Sequence, residues 1–150
     1  MAGARPPGRW PVRGMTRDQG AVVALDQQFD SDTLSELRRA VLTEATALGM
    51  PGGRAVEVVL AVHELAANAV VHGGGAGWAR MRVVAGELQC EVSDQGAGGI
   101  DDEVSTGVEQ SWPFRPGRGL WIARNVADRF SMAPFAGGSQ VTVVFMLPGR

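Results

Sequence analysis

Lysine is missing: all fourteen basic residues of this 150-residue chain are arginine. That removes the Walker A lysine, the strand lysine of the protein kinases and every Schiff-base mechanism. Tyrosine is missing too, and the single cysteine, Cys90, cannot form an internal disulfide, which suits a reducing compartment. Two histidines and one cysteine cannot supply a metal cluster. The net charge of −2 gives no general attraction to nucleic acid or an anionic membrane. No apolar run approaches the ~20 residues of a membrane span. The opening MAGARPPGRWP has no apolar stretch of signal-peptide length, so a cytoplasmic protein is expected.

What is present describes one globular domain, with 45% hydrophobic and 20% charged residues. Residues 1–20 read as a flexible tail, with Arg5, Arg9, Arg13 and Arg17 spaced among Pro and Gly, and residues 21–150 as the domain. A short strand is expected over AVVALDQQF. A helix follows, with Thr33 and Glu36 at capping-box spacing, Gly49 and Pro51 at its end, and a buried stripe of Leu34, Leu37, Val41, Ala45 and Leu48.

A second helix is predicted from about Arg54 to His72. One apolar arc holds Ala55, Val58, Val59, Val62, Leu65, Ala66, Ala69 and Val70, with Glu57, Glu64 and Asn68 opposite among Leu60, Ala61 and Val71. WARMRVVAG and ELQCEVSD read as strands, the second half-buried by the alternation of Leu88, Cys90 and Val92 with Gln89, Glu91 and Ser93. A polar Gly/Pro-rich stretch from Asp101 to Gly119 is long enough to be a mobile lid. A third helix over LWIARNVADRF places Ile122, Val126 and Phe130 on one face, and GGSQVTVVFMLP supplies a last strand. The pattern is α+β: a two-layer sandwich with helices on one face of a mostly antiparallel sheet.

Several familiar motifs fail. His63-Glu64 begins a zinc-protease pattern that lacks its second histidine at Ala67, and Gly117-Arg118-Gly119 begins a dinucleotide fingerprint in which Ile122 replaces the third glycine. Three pieces remain. Glu64 and Asn68 stand one helical turn apart, a carboxylate able to take a proton beside an amide oxygen suited to Mg²⁺. Alone they read better as an ordinary exposed helix pair, and the pieces downstream reverse that balance. Asp94 ends a strand before Gly96 and Gly98, where a carboxylate can accept from an exocyclic amine and glycines let backbone approach a flat ring. Arg115-Pro116-Gly117-Arg118-Gly119-Leu120 opens a helix whose N–H groups and arginines form a phosphate cradle without lysine.

In this order, VHELAANAVVHG, VSDQGAGGI and RPGRGLWIARNVAD resemble the three nucleotide-binding boxes of the Bergerat-fold ATPases, the gyrase and histidine-kinase superfamily. Within it the chain is similar, over roughly Phe29 to Pro148, to the small anti-sigma-factor serine kinases, also called switch-protein kinases. The resemblance implies a Bergerat-type sandwich that binds Mg-ATP, with Asn68 as the Mg²⁺ ligand and Glu64 as catalytic base. Asp94 would hold the adenine amine, with Gly96 and Gly98 flanking the base. Gly117, Gly119 and Leu120 would lie at the phosphates, with Arg115 and Arg118 reaching them. Ser139 stands where these ATPases carry a threonine supporting the adenine contact, and Arg38 where such kinases carry a partner-binding arginine. His63 reads as structural.

The implied function is sequestration of a sigma factor and phosphorylation of a serine on an anti-sigma antagonist, without direct nucleic-acid or membrane contact; homodimerisation stays open. Two alternatives stand beside it. One is an ATP-gated binding module that transfers no phosphoryl group. The other is a detached histidine-kinase catalytic domain, which would need transfer to a partner histidine and which the short first helix and absent linker disfavour.

Overall fold

The computed structural model describes residues 20–94, 119–135 and 138–149. Strand β1 (Val22–Asp30) leads into helices α1 (Leu34–Ala47) and α2 (Gly52–His72), then strands β2 (Ala76–Val84) and β3 (Glu87–Asp94). Helix α3 (Gly119–Val126) and strands β4 (Arg129–Phe135) and β5 (Gly138–Met146) complete the described chain. The five strands form one antiparallel sheet in the order β1-β2-β3-β5-β4. This is the expected α+β sandwich.

The start of α1 departs from expectation. The capping box of Thr33 and Glu36 does not form, because the Thr33 hydroxyl is taken by the preceding turn: it accepts the Asp30 N–H at 2.9 Å. The end follows the sequence. Gly49, at φ +88°, donates to the Thr46 carbonyl at 2.9 Å, and Met50 donates to Ala45 at 3.2 Å. Those paired bonds are a Schellman stop, and the left-handed residue it needs explains the glycine. The short link then turns α1 back along α2.

Helix α2 is the centre of the molecule, packed against α1, α3 and the sheet. Its length and composition would suffice to cross a membrane. Its arc of Ala55, Val58, Val62, Leu65, Ala66 and Ala69 is instead buried, together with Leu37, Val41 and Ala45 of α1 and Met81, Leu88, Cys90, Val143 and Phe145 of the sheet. Ala61, read on the polar side, is also fully buried. Burial pushes the Cys90 thiol far up, leaving it an inert core side chain.

Two sequence readings are corrected. Strand β3 is not half-exposed: Glu91 and Ser93 are buried along with Cys90 and Val92. On the face away from the helices, Arg82 donates to Glu91 at 2.9 Å and to Gln89 at 3.1 Å, and Arg80 Nε lies 3.6 Å from Glu91. The third helix also ends at Val126, and Phe130 belongs to β4. There the Asp128 N–H turns away to the Val144 carbonyl at 2.8 Å, while Arg54 caps the Val126 carbonyl at 2.8 Å. Long-range partners override a helical pattern that looked continuous.

Candidate functional site

Asp94 is the last residue of β3 and is buried. Its carboxylate is fixed by Ser139 at the start of β5, which donates its backbone N–H to Oδ1 at 3.3 Å and its hydroxyl to Oδ2 at 3.1 Å. Ser139 thereby engages both oxygens of the carboxylate. Antiparallel pairing of β3 with β5 is what brings the two residues together.

Against the other side of Asp94 lies Gly73, which closes α2 with its N–H on the Ala69 carbonyl at 2.8 Å. A Cβ on Gly73 would stand 2.5 Å from Asp94 Cγ. No side chain fits there while Asp94 holds its position. Sequence spacing does not foretell this contact, which depends on how α2 crosses the sheet.

One and two turns back from this end, Asn68 and Glu64 are half-buried on α2. The Asn68 side-chain nitrogen is fully enclosed without a hydrogen-bond partner. A buried unsatisfied amide costs about 1–3 kcal/mol, an expense that persists where a ligand supplies the partner. The Glu64 carboxylate makes no ion pair or side-chain hydrogen bond among the described residues, so nothing there competes for its lone pairs. Among the described residues no group of three or more His, Cys, Asp or Glu side chains could hold a metal. A metal at Asn68 must be one that takes few protein ligands and keeps water or phosphate, the habit of Mg²⁺.

Helix α3 packs beside α2, beginning at Gly119, with Leu120 against the core. Gly96, Gly98, Arg115, Gly117 and Arg118, and most of the expected lid, lie outside the described residues. Arg38 sits on the exposed side of α1, where its Nη1 is 3.3 Å from His63 Nδ1 of α2. The pairing gives His63 a contact the sequence did not suggest.

Arg54, near the start of α2, ties this framework together. It donates to Glu57 at 2.6 Å and to Asp128 at 2.7 Å, and its guanidinium lies 4.9 Å from the centre of the Phe145 ring. Burial alone would lower its pKa, but bonds to Glu57 and Asp128 outweigh that and hold it above the ordinary value. The Met146 N–H donates to Asp128 at 2.8 Å and is the main cause holding that carboxyl below its usual range, with Arg54 adding to it.

A family model described as histidine kinase-like ATPase domain matches residues 28–145. No curated protein matches the sequence. Among solved structures, the RsbU and RsbW domains of a Mycobacterium tuberculosis protein are similar at 19% identity and a TM-score of 0.56, covering 84% of this chain and 34% of that one. The present chain thus spans about a third of that relative's length. The SiaB–SiaC complex from Pseudomonas aeruginosa gives a TM-score of 0.66 at 12% identity, over 89% of this chain and 94% of that one. The histidine kinase AdeS of Acinetobacter baumannii gives 0.50 at 12% identity, over 83% and 68%. At such identities these likenesses establish the fold.

Proposed function

The chain belongs to the histidine kinase-like ATPase domain family, and we propose that it is an ATP-dependent anti-sigma serine kinase. It would bind Mg-ATP where the ends of α2 and β3 meet the starts of α3 and β5. The observation that carries this reading is the buried Asp94 carboxylate, braced by Ser139 and confined by Gly73, with the enclosed Asn68 amide about a turn away.

Asp94 accepts a hydrogen bond from the adenine amine, its carboxylate being oriented by the two bonds from Ser139. Asn68 suits both halves of the metal–phosphate group, its oxygen for Mg²⁺ and its nitrogen for a phosphate oxygen or metal-bound water. Bound Mg²⁺ would neutralise charge on the phosphates. The N–H groups at the start of α3 favour the same anion. Glu64 takes the proton from the acceptor serine hydroxyl as the serine oxygen bonds to the γ-phosphorus and ADP leaves. The RsbW domain and the SiaB–SiaC complex among the similar structures support a regulatory partner, here a sigma factor and a serine-bearing antagonist bound in part through Arg38.

The test is labelled-ATP transfer to candidate antagonist proteins, comparing wild type with Glu64→Gln. Loss of the base should slow transfer by about 10²–10⁴-fold. ATP affinity should survive, because Asn68, Asp94 and Ser139 are untouched. Transfer at the wild-type rate would remove Glu64 from the role. No transfer to any antagonist by the wild type, with partner affinity still changing on ATP addition, would establish the ATP-gated binding module instead.

A further inference from the structure

We propose that His63 is a positioning residue for Arg38, holding ready the guanidinium through which the proposed function has the chain bind its antagonist. The docking half rests on the kinase reading; the positioning half does not. The observation is the 3.3 Å approach of Arg38 Nη1 on α1 to His63 Nδ1 on α2. A guanidinium can only donate, so Nδ1 is the acceptor and the ring proton sits on Nε2.

This partnership differs from those of the other arginines whose ion pairs the structure shows. Arg54 is held by Glu57 and Asp128, Arg80 and Arg82 share Glu91, and Arg129 is held by Glu87. Each of those cations already has a carboxylate beside it. Arg38 makes no ion pair among the described residues, and its contact is an imidazole nitrogen. An imidazole nitrogen orients the fork while leaving the charge and the remaining N–H donors for an incoming anion. A carboxylate binding there need displace no resident acid, and much of the ordering of a long side chain has been completed in folding.

The surroundings suit a protein surface better than a free ion. Leu42 lies one turn beyond Arg38, and Leu60 one turn before His63. Because the short link makes α1 and α2 antiparallel neighbours, those two steps run in the same direction along the pair. Leu42 is 42% exposed and Leu60 37% exposed, so each helix carries apolar surface within a turn of the Arg38–His63 contact. That mixture of charge and apolar surface matches a polypeptide anchored by one acidic side chain. His63 also precedes Glu64, so a partner gripped at Arg38 is held at the helical turn carrying the proposed base.

Two measurements decide the matter. In the full-length ¹⁵N-labelled protein, guanidinium rotation and N–H exchange of Arg38 should be several-fold slower in wild type than in His63→Ala. Equal rates would overturn the positioning role. With an antagonist that the wild type binds, Arg38→Gln and His63→Ala should each raise KM, or weaken binding if no transfer occurs, by about tenfold while kcat stays within about twofold. His63→Asn, which keeps an acceptor near Nδ1, should recover part of the loss, and adding His63→Ala to Arg38→Gln should cost nothing further. A fall in unfolding temperature with KM and binding unchanged would make the pair a mere tie between helices and overturn the docking role. If the wild type neither binds nor phosphorylates any antagonist, the kinase reading fails and docking with it, while the Arg38 exchange rates still answer for His63.

Discussion

Gly73 and Asp94 occupy adjoining space that only one side chain can fill: a Cβ on Gly73 would stand 2.6 Å from both Asp94 Cβ and Oδ2. The end of α2 is thereby pressed against the end of β3, and the helix bearing Glu64 and Asn68 is registered to the strand bearing Asp94. The two halves of the proposed nucleotide site are set by a contact with almost no freedom.

Gly73→Ala should therefore move Asp94 rather than unfold the domain. Asp94 is short and buried, so relief by rotation is limited and overpacking should cost about 1–3 kcal/mol. ATP affinity should fall alongside, because the carboxylate leaves its bonds to Ser139. Calorimetric titration with ATP and a thermal unfolding scan check both parts; full ATP affinity in the variant would separate Asp94 from the base.

Asp94→Asn keeps the volume and loses the charge. One charge-assisted hydrogen bond is worth about 1.5–3 kcal/mol, so ATP should weaken by about tenfold to a hundredfold. Preference for ATP over GTP should shrink with it. Ser139→Ala leaves the charge but removes one of the two bonds that orient it, and should lose less, about 0.5–1.5 kcal/mol. Competition binding of both nucleotides to the three proteins gives the ranking.

Asn68→Ala should move stability and binding in opposite directions. The amide nitrogen is buried with no partner, so removing it relieves an unsatisfied donor, and Ala favours the helix. Unfolding temperature should hold or rise. Mg-dependent ATP binding should fall sharply. A variant that loses stability and keeps ATP affinity would mark Asn68 as structural.

Arg54→Met keeps an apolar stem but removes the guanidinium from the Phe145 ring and strips the bonds to Glu57, Asp128 and the Val126 carbonyl. With Asp128 partly exposed, about 1–2 kcal/mol should be lost, or about 2–4 °C of unfolding temperature per kcal/mol at this chain length. Arg54→Lys should recover only part, since an ammonium cannot span three acceptors in a fork. Differential scanning calorimetry reads the series.

Acid should loosen the same corner. Asp128 is held below the usual carboxylate range by the Met146 N–H and Arg54, and Glu87 by the hydrogen bond from Arg129. A depressed folded-state pKa means that the unfolded chain binds protons first as pH falls. The stabilisation is complete above the ordinary carboxylate pKa near ~4 and disappears as pH drops through the lower folded values. Urea unfolding from neutral pH downwards should show stability falling below about pH 5, and Asp128→Asn should flatten that decline.

The local pattern was legible wherever neighbours in sequence are neighbours in space. Leu37, Val41 and Ala45 recur at helical spacing and are buried together; Leu88, Cys90 and Val92 alternate and face the core. Glu64 and Asn68 share a face because 3.6 residues make a turn. Gly49 ends α1 because a Schellman stop needs a left-handed residue. Those facts, and the order of the three boxes, follow from the chain alone.

Tertiary structure decided the rest, by joining residues whose separation carries no periodic signal. Thr33 looked like a cap, but Asp30 takes its hydroxyl; Phe130 looked like the next turn of α3, but Asp128 pairs with Val144 and Met146 and turns the chain into β4. Ser139 reaches Asp94 through strand register, Gly73 meets Asp94 through the crossing of helix and sheet, and Arg38 finds His63 because α1 doubles back on α2. Sequence spacing specifies which side chains share a face of one element. Which faces meet, and which polar atoms are left there without partners, is settled by the packing of the whole core and the requirement that buried charges find opposite charges.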